Sequence, residues 1–186
     1  MPFPAFSKTL FLKILKSLAA SALLLLLSST ALHAAQEALL RLDPGGHTAL
    51  VRKLLITPDG RLVTASDDKT IRVWNPVTGR EERKILGQIG PGYGDIYTIA
   101  LSPDGKLLAS GGYFSSDAEQ EWGRILIYDF QSGELLQILK GHESVVIDLD
   151  FSPDGRLLAS GSADDTVRLW KRSGNRFSAG PVLRGH

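Results

Sequence analysis

From Val145 onward apolar and charged side chains alternate: Ile147, Leu149 and Phe151 are apolar, and Asp148 and Asp150 stand between them. A period of two predicts a strand with one buried and one solvated face. The next four residues, Ser-Pro-Asp-Gly at 152–155, form a tight turn with Pro second and Gly fourth. Residues 157–161 give a second strand. Residues 166–170 give a third, with Val167 and Leu169 inward and Arg168 outward. A turn over 171–175 and a short strand over 181–184 complete the unit. Helical spacing fits none of these pieces, and short strands separated by turn signals predict an all-β chain.

The unit recurs. "ITPDGRLVTAS" (56–66), "LSPDGKLLASG" (101–111) and "FSPDGRLLASG" (151–161) are near copies, with Asp59, Asp104 and Asp154 spaced 45 and 50 apart. Trp74, Tyr128 and Trp170 close three parallel phrases, 54 and 42 apart, and Gly-His stands at 46–47, 141–142 and 185–186. Internal repeats of this period decide the fold. Gly-His at the start, Ser-Pro-Asp-Gly in the middle and Asp six before Trp near the end resemble the WD-repeat β-propeller family. The resemblance covers 46–186 and implies a partial β-propeller of three four-stranded antiparallel blades, at about 46–86, 92–139 and 141–184. The family's closing Trp-Asp is nowhere complete, since the chain has Trp74-Asn75, Tyr128-Asp129 and Trp170-Lys171.

The resemblance also implies a structural network in two units: His47, Thr64, Asp68 and Trp74 in the first, His142, Ser160, Asp164 and Trp170 in the third. His with Ser and Asp is the composition of a nucleophilic triad. A catalytic constellation is needed once, however, and this one appears twice, each time with a Trp whose indole N–H needs an acceptor when buried. The expectation is structural, with no catalytic residues. In the second unit Gly92 stands for His, Trp122 for Asp and Tyr128 for Trp, and Ser110 alone is kept. That unit also carries an insertion, Tyr113–Gly123, so that 18 residues separate Ser110 from Tyr128 against 10 from Ser160 to Trp170. Strands in a blade alternate in direction, so the insertion and both histidines share one end of the blades, and the Ser-Pro-Asp-Gly turns lie at the other. Tyr113, Phe114, Asp117, Glu119, Glu121 and Trp122 are the candidate partner-binding residues, because aromatics beside acids on a loop suit recognition. The competing expectation is that the aromatics cap a blade that lost its network.

The first 35 residues read differently. Lys8, Lys13 and Lys16 precede sixteen uncharged residues, and "HAAQ" follows. This is the layout of a secretory signal peptide, with cleavage expected after Ala34 or Ala35. An uncleaved membrane anchor is the alternative, since 17–36 is long enough to cross a bilayer. Either way the remainder is expected to be exported, periplasmic or secreted if cleaved, or held at the inner membrane facing outward if not. A leading strand at 37–43 is expected to close the ring from outside, and the third unit already has its own fourth strand. The sequence therefore reads as the amino-terminal part of a longer propeller, or as one that self-associates.

Composition narrows function only slightly. Without the three leader lysines, 18 basic residues face 20 acidic ones in a 186-residue chain. With no basic cluster, no nucleic-acid partner is expected. Cysteine is absent, and neither a phosphate-binding loop nor metal-ligand spacing occurs, so no cofactor or metal is expected. The expectation is a non-catalytic protein–protein interaction scaffold. The alternative is the front of a larger enzyme with a caspase-like peptidase or kinase domain.

Overall fold

The computed structural model describes residues 45–88, 94–114 and 122–185. The expected leader, the strand expected at 37–43, Gly92, and Asp117, Glu119 and Glu121 of the insertion lie outside the described residues. Twelve strands make up three sheets. The first holds β1 (Val51–Ile56), β2 (Leu62–Ser66), β3 (Thr70–Trp74) and β4 (Glu81–Leu86). The second holds β5 (Ile96–Leu101), β6 (Leu107–Gly112), β7 (Ile125–Asp129) and β8 (Leu135–Leu139). The third holds β9 (Val146–Phe151), β10 (Leu157–Ser162), β11 (Thr166–Ser173) and β12 (Arg176–Arg184). Within each sheet neighbours in sequence pair antiparallel, and no helix occurs among the described residues.

The repeated turns explain why the first two strands of each blade meet. In the second blade the Ser102 hydroxyl donates to Asp104 at 2.6 Å and accepts the Leu107 amide at 2.9 Å. Ser152 does the same with Asp154 and Leu157. Gly60, Gly105 and Gly155 end the three turns at φ of +86°, +69° and +67°, a conformation glycine adopts without steric cost.

Each blade packs on the next through alternate side chains. Val63, Ala65, Ile71 and Val73 of the first blade meet Ile99, Leu108 and Tyr128 of the second. The opposite face of the second blade, with Leu107, Ala109, Ile125 and Ile127, meets Leu149, Phe151, Leu158 and Trp170 of the third. The first strands β1, β5 and β9 run side by side.

Three expectations need correction. Ile147 is exposed and Val146 takes its place in the core, because a bulge opposite Gly161/Ser162 shifts the register by one residue. The fourth strand of the third blade starts at Arg176, and the expected five-residue turn shrinks to Gly174 and Asn175 between paired Ser173 and Arg176. Phe177 drives that extension by packing against Phe151, ring centroids 6.1 Å apart. Arg168 does not point to solvent, since it is half-buried and pairs with Ser160 and Val182 on the face turned toward the second blade. Both faces of a blade are packed here, so alternation does not separate inside from outside.

Candidate functional site

In the first and third blades the loop before the first strand supplies a His, the second strand a hydroxyl, the next turn an Asp and the third strand a Trp, and these four side chains fall in line. In the third blade, Trp170 Nε1–H donates to Ser160 Oγ at 2.9 Å, Ser160 Oγ lies 2.8 Å from His142 Nε2, and His142 Nδ1 lies 2.8 Å from Asp164 Oδ2. In the first blade the corresponding distances are 2.8 Å from Trp74 to Thr64, 2.7 Å from Thr64 to His47 and 2.8 Å from His47 to Asp68. One assignment satisfies every group: indole N–H to hydroxyl, hydroxyl to Nε2, Nδ1–H to carboxylate. The carboxylate then anchors the next strand. Asp164 Oδ1 accepts the Thr166 amide at 3.0 Å and its hydroxyl at 2.6 Å, and Oδ2 accepts the Glu143 amide at 2.9 Å. Thr70 and Thr48 repeat this on Asp68. The residue after each Asp, Lys69 or Asp165, turns the chain at positive φ.

Electrostatics fix the charge states in the third blade. Burial would push the Asp164 carboxyl up, but Thr166, the Glu143 amide and His142 together hold it well below the usual range. Burial lowers His142, against the opposing pull of Asp164, so its ring stays neutral. Asp68 is likewise held low, its hydrogen bonds outweighing burial. A nucleophilic hydroxyl needs an open path to a carbonyl. Ser160 is 1% exposed and accepts the Trp170 N–H, which leaves it no such path. Among the described residues no group of three or more acids and histidines is placed to hold a metal ion.

The second blade is built otherwise. Tyr128 is buried at the Trp position, and burial raises its phenol to about 12, the Ser110 hydroxyl pulling the other way. Ser110 Oγ is enclosed without a hydrogen bond of normal geometry among the described residues. Arg124, aligned with Thr70 and Thr166, is buried there as well. Arg72 was equally hidden to the sequence pattern: it is buried beside Thr70 and forms an ion pair with Glu81.

The insertion's described roots divide its aromatics. Phe114 is 0% exposed within the core between the first two blades, which removes it from the candidate partner-binding set: the apolar ring fills space against the first blade. Trp122 is 37% exposed, and its ring stacks on Tyr113 with centroids 5.1 Å apart and planes at 27°. Gly123 presses this root against the third blade. At φ +72°, a Cβ there would lie 2.3 Å from Ser144 O and 2.5 Å from His142 Cβ. The Tyr113 amide donates to Asp95 O at 2.9 Å on the other side. Nearby, Arg52 lies over the Tyr97 ring at 5.0 Å while Asp67 clasps its guanidinium. Asp95, Tyr97, Glu143 and Gly123 carry no motif; only their positions beside the insertion and the His loop single them out.

Comparison with known proteins agrees with this geometry. A family profile described as WD domain, G-beta repeat matches residues 39–75, 84–119 and 133–171. The serine-threonine kinase receptor-associated protein of Mus musculus is 29% identical over 161 residues, covering 68% of this chain and 44% of that protein. Apoptotic protease-activating factor 1 of Rattus norvegicus is 34% identical over 127 residues, 68% of this chain and 9% of its own length. Among solved structures, that of the RRP9 WD40 repeats superposes with a TM-score of 0.63 at 32% identity, covering 76% of this chain and 40% of the other. The chain spans less than half the length of each of these proteins.

Proposed function

Since the chain belongs to the WD-repeat family, we propose that it is a non-catalytic scaffold for protein–protein contacts, working from the end of the blades that carries His47, His142 and the insertion. The exposed Trp122–Tyr113 stack carries this reading. Large aromatics left exposed on a rigid frame bury much area for few rotatable bonds when a partner docks. Asp117, Glu119 and Glu121 belong to the same loop by sequence and add acidic charge to its composition. The His–Ser/Thr–Asp–Trp networks hold the frame, consistent with their enclosure and their repetition.

Two further parts of the proposal rest on sequence and packing. The leader's charge and hydropathy layout supports export, to the periplasm or beyond, with a membrane association only if it stays uncleaved. The uncovered faces of the first and third blades support a larger ring that includes these three. A second reading places the blades at the front of a larger protein with a caspase-like peptidase or kinase domain. Its support is the rat relative, named for protease activation, of which this chain matches 9%.

A photocrosslinking residue placed at Trp122, with Val77 at the opposite end as control, tests the docking end. Partner protein should cross-link from 122 and not from 77. Equal cross-linking from both, or none from 122, would overturn the assignment. Amino-terminal sequencing of the exported protein should begin at Ala35 or Gln36. The size of the native protein on an immunoblot separates the scaffold from the larger enzyme.

A further inference from the structure

The docking end already contains one finished cation site. The Arg52 guanidinium lies over the Tyr97 ring, 5.0 Å from its centroid, and both Asp67 oxygens accept its Nε–H at 2.9 and 3.0 Å. The parts are an aromatic ring, a carboxylate beside it and a guanidinium between. Next to it stand the same parts without the cation. Tyr113 and Trp122 stack at 5.1 Å, with Trp122 37% exposed. Asp95 flanks the stack through its backbone bond from Tyr113. Glu143 is exposed on the third blade between His142 and Ser144, the two residues against which Gly123, next to Trp122, is packed. Among the described residues no cation lies over either ring, and no cation is at ion-pair distance from Asp95 or Glu143. The neighbouring network adds negative charge, since Asp164 stays ionised opposite a neutral His142.

The opposite end is different. There the turn acids are matched internally: Asp59 with Arg61 at 2.7 Å, and Asp104 with Arg172 at 2.8 Å. An acidic protein segment would bring its charge against Asp95 and Glu143, and a purely apolar one would cover both without an ion pair.

We propose that the Tyr113–Trp122 stack, flanked by Asp95 and Glu143, is a docking platform for an arginine-bearing segment of a protein partner. This rests on the docking-end reading above and adds the chemistry of what docks. A guanidinium stacks flat on the indole and reaches a carboxylate with its edge, which a lysine ammonium does less well.

The test uses the purified chain with labelled hexa-arginine, hexa-lysine and hexa-glutamate peptides at physiological salt, read by fluorescence anisotropy. Hexa-arginine should bind, hexa-lysine several-fold more weakly, and hexa-glutamate not at all. Trp122→Ala should weaken hexa-arginine about tenfold. The double change Asp95→Asn with Glu143→Gln should weaken it several-fold and flatten its salt dependence. If Trp122→Ala lowers the thermal midpoint, the carboxamide pair decides, because it preserves shape. Arginine binding that ignores all these changes is plain charge attraction and overturns the proposal, as does its absence. Hexa-glutamate held at Trp122 overturns the arginine preference and leaves the docking end standing; cross-links that avoid residue 122 remove the docking end itself.

Discussion

The four residues of each network point their hydrogens one way, from indole to hydroxyl to imidazole to carboxylate, and the order has measurable consequences. Removing the ring takes one hydrogen-bond partner each from the Asp164 carboxylate and the buried Ser160 hydroxyl. His142→Ala should therefore cost about 1–3 kcal/mol in urea denaturation, and the Trp170 emission should shift as its acceptor loses its place. Any hydrolysis the protein shows should be untouched, since Ser160 is enclosed. The same residue predicts an acid limb. Burial lowers His142 in the folded chain, while the unfolded ring titrates near its ordinary value of about 6.5. Above that value its contribution is complete; as pH falls below it the unfolded state takes up the proton first, and stability drops until the folded ring protonates too. Asp164 is held low and keeps its own contribution over the same window. Thermal midpoints from pH 7.5 down to 4.5 should fall for the native chain, and less steeply for His142→Ala. Parallel curves would show that His142 is not the group responsible.

At the scale of strands and loops, the insertion shows what sequence can reveal and where it stops. Its aromatics look equivalent in the string, yet one is core and one is surface. Phe114→Ala should cost about 3–5 kcal/mol as a large core ring is removed, whereas Trp122→Ala should change stability by under about 1 kcal/mol, both by chemical denaturation. Gly123→Ala should destabilise the chain, because the added methyl must displace the His142–Ser144 backbone while holding a strained positive φ. A native midpoint in that variant would mean the root does not press on the third blade. The strands and turns were legible because period-two alternation and Ser-Pro-Asp-Gly are local signals. The His–Asp pairs were legible through the resemblance to the WD-repeat family, and their occurring twice marked them as structural. What escaped was through-space: the bulge that exchanges Ile147 for Val146, the hairpin extended by Phe177, the buried Arg72, and the packing of Gly123 on His142 and Ser144 of another blade. Each depends on a neighbour far away in sequence, which no local pattern encodes.

For the molecule as a whole, the repeat supplies its own test of what the outer blades need. The face of the second blade that receives the first holds Ile99, Leu101, Leu108 and Tyr128, and that of the third holds Leu149, Phe151, Leu158 and Trp170. The register puts Leu54, Ile56, Leu62 and Trp74 at the same positions in the first blade. There Leu54 is 61% and Ile56 71% exposed. At the other side, Leu157, Ala159, Val167 and Leu169 of the third blade match Leu107, Ala109, Ile125 and Ile127, which are fully buried in the second, yet they are only half-buried. These two faces are complementary in the way that successive blades are complementary, so they fit each other head to tail rather than each its own copy. Residues 36–186 produced alone should therefore self-associate, with a molar mass by light scattering that rises with concentration. Leu54→Glu with Ile56→Glu should abolish this by placing charges where an apolar face would close, and should leave the blade-one network intact. A chain that stays monomeric at high concentration without those changes would show that something else in residues 36–186 covers the first blade.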